Sequence, residues 1–362
     1  RVITKVSPSE EGQTQEVSRN LGIKIFPISY KFTRNLSSGK KFLKNLKRVI
    51  NPLFWDGASY EYRDKEIVDV FKRELDEFKP DAVWVEYTTL WPLYKYAKRR
   101  NVPIITRSIN FEAFHFLDED GFGPINLLKF ISKFFGEIMT IRKSDFLLAI
   151  TPKEERTYKK FGAKKTAVLP LRALPQFLAE EKQIKDKEKL NVFFMGSTYN
   201  VSHNKKALEK VVKEIIPLVN KKYPNKFLFH ITGGKLPKDF DNLFSDNTTY
   251  HGFVPDRDIF LEDMDIALTP SLFGAGMQQK IFEPIARGIP TVASTRGLAG
   301  YPFKDKEHLL LADTAEDFAQ ALGEMIDFNK RKDLSLNAKE LCRDIFSEGK
   351  IKEVVASSLE VI

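Results

Sequence analysis

A chain of 362 residues, 42% hydrophobic and 30% charged, has the composition of an ordinary globular protein, and its length favours two domains over one core. A single cysteine, Cys342, excludes a disulfide framework and a cysteine-rich metal site, and it suits a reducing cytoplasm. The formal charge of +9 favours an anionic partner, whether a phosphorylated substrate, an acidic lipid surface or nucleic acid, without choosing among them.

The chain opens on RVITKV, a strand-like run with neither an initiator methionine nor a signal-peptide pattern before it. IKIFPI, DAVWVEY, PIITRS, FLLAIT and AVLPL come next as further short apolar runs, all strand-sized and none near the length of a bilayer span. Between them lie stretches of helical period. In EIVDVFKRELDEF, Ile67, Val70, Phe71 and Leu75 share one face. The run GKKFLKNLKRVINPLFW, 39–55, interleaves Lys40, Lys41, Lys44, Lys47 and Arg48 with Phe42, Leu43, Leu46 and Val49, a pattern that fits either an anionic lipid surface or a solvated helix packed by its apolar face. INLLKFISKFFGEIM reads as core packing, and Asp118 and Asp120 as acidic loop residues.

From Leu171 to Leu190 the composition turns charged and irregular, as expected of a linker. A second series begins beyond it with NVFFMG, the helical ALEKVVKEII, FLFHITGG, TTYHGF, DIALTP, TVAST and HLLLA. This alternation predicts parallel βαβ units in two Rossmann-like halves, with ligands beyond the carboxyl ends of the strands. The tail, from about Ser347, reads as a helix. No pair of histidines has ligand spacing, and Asp263 and Asp265 precede their strand instead of coming after it.

The stretch GAGMQQKIFEPIARGIPTVAS, Gly274 to Ser294, carries the chemistry. Gly274 and Gly276 permit a tight turn and close approach to a ligand. A helix is predicted from about Met277 to Arg287, with Gly288 as its cap and Pro290 as its stop. Pro284 cannot donate to the Lys280 carbonyl, which predicts a kink or a late start. The unpaired amides of the first turn, with Lys280, make a phosphate site, and Glu283 on the same face offers two oxygens to vicinal hydroxyls. An equally weighted reading makes Lys280 and Glu283 a surface pair.

Gly276, Lys280, Glu283, Ala286, Gly288 and Pro290, then TVAS, resemble the donor-binding segment of glycosyltransferase family 4, retaining enzymes of the GT-B fold. FFMGSTYNVSHNKKAL, LFHITGG, YHGFVPD and DIALTP keep the family's order, while PDAVWVEY, RSINFEAF and DFLLAITPKE resemble its acceptor domain more weakly. The resemblance implies an α/β GT-B fold, two Rossmann-like domains facing across a cleft. It implies that Glu283 holds the donor ribose, that Lys280 neutralises the leaving diphosphate and that amides around Gly274, Gly276, Met277 and Gln278 cradle the distal phosphate. Gly196 and Ser197 would face the same phosphates, and Phe253 and Val254 would line the base, a core role being as good a reading for the latter pair. Acceptor groups would come from Glu86, Tyr87, Asn110, Glu112 and His115, the histidine being more often a packing residue beside Phe114 and Phe116.

This sequence departs from the family at Ala275 and Ser197, where many members have a glutamate and an arginine; Lys205 or Lys206 could substitute for the latter. Ile109 stands where a histidine is common. The family's opening strand, which would sit centrally in its sheet, and its glycine loop are missing ahead of RVITKV, so a longer natural protein is expected.

The expected domains are 1–175 on the acceptor side, lacking a first strand, 186–346 for the nucleotide sugar, and a helix 347–362 returning to the first domain. The implied activity is retaining transfer from a nucleotide-sugar donor to a saccharide or lipid-linked acceptor in polysaccharide or glycolipid assembly. No metal or other cofactor and no nucleic acid are expected. The expected location is the cytoplasm, with peripheral contact on the inner face of an anionic membrane. A sugar-nucleotide epimerase of this architecture and a non-catalytic nucleotide-sugar binder are the alternatives.

Overall fold

A computed structural model describes residues 1–30, 50–179, 182–240, 242–272 and 277–360. The chain divides into two compact units, one of Arg1–Ala149, Glu155–Ala167 and Ser358–Ile362, the other of Ile150–Glu154 and Val168–Ser357.

In the first unit, β1 (Val2–Val6) pairs in parallel with β2 (Ile25–Ser29). A separate sheet takes β3 (Val83–Glu86), β4 (Ile104–Arg107), β5 (Phe146–Ala149) and β6 (Thr166–Val168) in that order. Every residue of β4 and β5 is buried, which is why both read as unbroken runs without the alternation of a one-sided sheet. Helix Lys65–Glu77 buries Ile67, Phe71 and Leu75, its successive inward positions.

RVITKV forms β1, which pairs with β2 alone among the described residues. An apolar run specifies that a strand forms; the neighbour it pairs with is decided by register and chain path. INLLKFISKFFGEIM meets the expectation of core packing only in part. Helix Pro124–Lys143 buries Ser132, Gly136, Glu137, Thr140 and Ile141 but leaves Ile125, Leu127, Leu128, Ile131 and Phe135 exposed. Small and polar side chains fill most of its deepest positions, while Phe130, Phe134 and Ile138 pack beside them against the core, so the run is core packing in part. Asp118 and Asp120 lie in the last turn of helix Glu112–Asp120 instead of a loop.

The second unit holds six strands: β7 (Leu190–Thr198), β8 (Phe227–Gly234), β9 (Thr248–Gly252), β10 (Ile266–Thr269), β11 (Thr291–Ala293) and β12 (Leu310–Leu311). Their order is β12-β11-β10-β7-β8-β9, with parallel pairing. The chain winds outward one way from β7 through β8 and β9, then returns to the other side of β7 as β10. That is the doubly wound Rossmann order, and the strand order reverses between β7 and β10. The predicted helix ALEKVVKEII is helix Ser202–Lys210 continued by a π-helical turn, Val211–Ile215, and helix Ile216–Lys222. Pro217, which cannot donate to a carbonyl of the preceding turn, sits where the π turn gives way.

The linker expectation needs correcting. Residues Leu174–Leu178 form a helical turn whose Leu174, Phe177 and Leu178 are buried, and it packs on helix Gln279–Ala286. Charge dominates the 171–190 segment, but these apolar residues anchor its first part in the second unit's core.

Candidate functional site

A doubly wound sheet opens a crevice at the carboxyl ends of the two strands where its order reverses. Here those ends are Met195–Thr198 on β7 and the segment from Pro270 to helix Gln279–Ala286 after β10. Gly274 and Gly276 lie outside the described residues, as does most of the basic run 39–55.

Side chains anchor the described residues between β10 and this helix. Ser271 N–H donates to Ser294 Oγ at 3.0 Å, and Ser271 Oγ lies 2.8 Å from Gln278 Nε2. Met277 is buried, with its sulfur 3.5 Å from the Leu171 N–H and 3.6 Å from Tyr301 Oη. Met277 and Gln278 therefore offer backbone, not side chain, to a ligand. Gln278 takes the cap position, and the helix starts at Gln279, slightly later than the predicted Met277. Gly288 comes after it at φ 79°, in the left-handed region where glycine carries no Cβ penalty.

Lys280 sits in the first turn, where helix geometry leaves amide N–H groups without intrahelical acceptors. Its side chain is half-buried and makes no hydrogen bond or ion pair with the described residues. Burial lowers its pKa below the ordinary lysine value. A desolvated cation beside unpaired amides is electrostatically incomplete, and an anion completes it.

Glu283 has a different setting. It is 0% exposed, and both oxygens are occupied. Oε1 accepts from Arg287 Nε at 3.2 Å and Nη2 at 3.1 Å; Oε2 accepts from Gln279 Nε2 at 2.9 Å and Arg257 Nη1 at 3.2 Å. Arg287 is itself buried and also pairs with Asp258, while Arg257 is 46% exposed. Lys280 and Glu283 do not pair with each other, so the surface-pair reading does not describe them. Arg257, Gln279 and Arg287 are absent from the sequence-based assignment. Arg287 could have been found from its i,i+4 spacing to Glu283, whereas Arg257 arrives from the start of a separate helix, Arg257–Glu262.

On the β7 side, Gly196 and Ser197 lie in an irregularity of the ladder between Met195 and Thr198. A Cβ at Gly196 would meet Tyr199 ring atoms at 2.6 Å, and one at Gly233 would meet Gly196 O at 2.8 Å. Packing around the buried Tyr199, whose Oη donates to Thr232 O at 2.6 Å, thus already demands glycine there. Ser197 is exposed, and its Oγ accepts from Asn204 Nδ2 at 3.1 Å. Lys205 pairs with Asp239 at 3.1 Å, and Lys206 also has an interaction of its own. Phe253, just beyond β9, is 77% exposed, which rules out the core role held open for it; Val254 beside it is half-buried.

In the first unit, Glu86 ends β3 and is held by Trp84 Nε1 at 2.8 Å and Arg107 Nη1 at 3.2 Å. Tyr87 comes next at φ 86°, a left-handed conformation that is costly for a side chain of this size. Asn110 leads into helix Glu112–Asp120, and its carbonyl accepts from Ser108 Oγ at 2.8 Å. Burial raises the Glu112 pKa, and its N–H donates to Glu137 Oε1 at 2.9 Å. His115 Nε2 lies 3.5 Å from Glu119 within the same helix. Glu137, wholly buried beneath these residues, is the polar group that sequence reasoning missed, because it lies within a run read as core.

Among the described residues, no cluster of three or more histidine, cysteine, aspartate or glutamate side chains is placed to hold a metal ion. No described helix is long and apolar enough to cross a membrane.

The strand order makes the second unit a Rossmann-like α/β sheet, with Lys280 in the first turn of the helix at its switch point. Residues 189–327, inside that unit, match the family model described as glycosyl transferases group 1. No curated protein matches the chain. Among solved structures, TarM, a protein of S. aureus, is 15% identical with a TM-score of 0.63, covering 81% of this chain and 58% of its own. The chain thus spans a little over half the length of TarM. HepE of Anabaena in complex with UDP is 12% identical with a TM-score of 0.67 and covers 100% of this chain and 92% of its own. Sucrose-phosphate synthase of Thermosynechococcus elongatus is 13% identical with a TM-score of 0.65, covering 98% and 97%. At these identities the likeness establishes the fold, GT-B.

Proposed function

We propose that the protein is a glycosyltransferase that moves a sugar, with retention of anomeric configuration, from a nucleotide-sugar donor to a saccharide or lipid-linked acceptor. The observation that carries this reading is Lys280: a half-buried cation without a partner among the described residues, in the first turn of the helix at the sheet's switch point. The group 1 match covers this segment, and HepE, of like fold, holds UDP and glucose.

Breaking the bond from the anomeric carbon to phosphate develops charge on the diphosphate, and preorganised donors aimed at it lower the barrier. Lys280 and the first-turn amides, with backbone around Met277 and Gln278, have that role here. Glu283 takes the donor ribose, which requires Arg257 or Gln279 to release Oε2 as the hydroxyls arrive. The exposed Phe253 stacks on the base, with Val254 beside it, and Ser197 and Gly196 line the phosphates. Glu86, Tyr87, Asn110, Glu112 and His115 serve the acceptor. The work is placed in the cytoplasm, at the inner face of an anionic membrane, in polysaccharide or glycolipid assembly. The basic run 39–55 and the +9 charge support the membrane part. Absence of binding to acidic liposomes at low salt removes it.

The test is a panel of nucleotide sugars and free nucleoside diphosphates, screened by thermal stabilisation of the wild-type chain and of Lys280→Ala. A donor that stabilises wild type and loses that effect in the variant supports the reading. Equal stabilisation of both, or of neither, overturns it.

A further inference from the structure

Glu137, on helix Pro124–Lys143, is 1% exposed, and its carboxyl group reaches three separate segments. Oε1 accepts from Thr88 Oγ1 at 2.9 Å, just past β3, and from the Glu112 N–H at 2.9 Å, just past β4. Oε2 lies 3.0 Å from Tyr158 Oη, on helix Pro152–Lys160 beyond β5. Tyr158 Oη stands 2.7 Å from Ser108 Oγ and 3.3 Å from the Asn110 carbonyl. One turn along from Glu137, Thr140 Oγ1 donates to the Thr88 carbonyl at 3.3 Å. A single buried side chain thus joins the exits of three consecutive parallel strands. Two of those exits carry Tyr87, Asn110 and Glu112.

We propose that Glu137 is a positioning residue, a latch that fixes the segments beyond β3 and β4 in the arrangement that receives the acceptor. Burial, not hydrogen bonding, favours the neutral acid in this role. Oε1 accepts from Thr88 Oγ1 and the Glu112 N–H, and Oε2 accepts from Tyr158 Oη, which also stands beside Ser108 Oγ. The charged groups nearby do not offer it a counter-ion: Lys133 on its own helix pairs with Asp56 at 3.3 Å, and His115 stands beside Glu119. Glu112 lies close and is acidic. Burial, against the lowering effect of the hydrogen bonds, pushes Glu137 up to about 8. Ionisation places a charge without a counter-ion in the core, so the latch loosens in alkali. The acceptor role rests on the glycosyl-transfer reading; the latch does not.

Hydrogen exchange read by mass spectrometry at residues 86–92 and 108–116, with correction for intrinsic rates, tests the latch. Wild type, Glu137→Gln and Glu137→Ala are compared on both sides of pH about 8. In wild type, protection of both segments is expected to fall about tenfold as pH rises through that value. Glu137→Gln, whose amide oxygen accepts and whose NH₂ donates, keeps its protection throughout, and Glu137→Ala lacks it at every pH. Identical pH profiles in wild type and Glu137→Gln overturn the proposal, and that pair decides it even if the alanine variant fails to fold. Turnover of UDP-glucose, UDP-N-acetylglucosamine and GDP-mannose by the same samples separates the two readings. A latch in a chain that turns over none of them removes the acceptor role. Turnover with no latch overturns this inference alone. Where transfer is seen, Glu137→Ala raises the acceptor KM about tenfold and leaves the donor KM unchanged.

Discussion

The switch point of the second unit and the strand exits of the first use polar groups in opposite ways. At the switch point the carboxylate Glu283 is fully enclosed by Arg257, Gln279 and Arg287, while the cation Lys280 has no partner among the described residues. At the strand exits carboxyl groups dominate, in Glu86, Glu112 and Glu137, and the most deeply buried of them is stabilised by neutral donors instead of a cation. Each arrangement fits the ligand proposed for it. An anion is drawn to a positive charge left incomplete by the protein, whereas a hydroxyl-bearing acceptor calls for fixed hydrogen-bond acceptors in a firm frame.

The sharpest way to break this contrast is Lys280→Ala. Turnover of the donor should fall by about 10²–10³, as for loss of one donor to a developing oxyanion, while the melting temperature holds or rises because an uncompensated buried cation has gone. A loss of stability with unchanged turnover would make Lys280 structural. Glu283→Ala should behave differently. It takes from the buried Arg287 the carboxylate that its Nε and Nη2 bind, so unfolding in urea should show a loss of about 3 kcal/mol, in addition to any kinetic effect. Stability equal to wild type would show that the enclosure is not formed in solution.

The first unit supplies a pH test. The folded pKa of Glu137 lies near 8, above the ordinary carboxylate value that applies when unfolded. Its contribution is therefore fully present below about pH 4.5 and is lost as pH rises towards the folded value, by at most about 1.4 kcal/mol per pH unit. Denaturation series across that window should show this slope in wild type and lack it in Glu137→Gln. The smallest effect expected is that of Phe253→Ala, about 1 kcal/mol in donor affinity by calorimetry with no change in stability, because the ring is already 77% exposed. Unchanged affinity would remove Phe253 from the site.

Much of the second unit was legible in the sequence. NVFFMG, FLFHITGG, TTYHGF, DIALTP and TVAST are all strands because short apolar runs broken by glycine and proline leave few other conformations. The helix after β10 and its glycine stop were legible for the same local reasons. The partners of Glu283 were not, since Arg257 approaches from a helix start 26 residues away in sequence. Nor was Glu137, which lies in a run where Phe130, Phe134 and Ile138 pack inward while Ile125, Ile131 and Phe135 are exposed. Periodicity identifies a face without saying which way it points.

By itself the sequence determined the alternation of strands and helices, the two-part organisation and the place of Lys280 in a first turn after a glycine-rich segment. These depend on local rules of backbone geometry and hydrophobic period, which act over a few residues. Only the tertiary structure decided that β10 returns beside β7 to open the switch point, that Glu283 is enclosed by two arginines, and that one buried carboxyl joins three strand exits. Those outcomes depend on which distant segments meet and on the desolvation their meeting brings, and desolvation decides whether a charge is paired, neutralised or left waiting for a ligand.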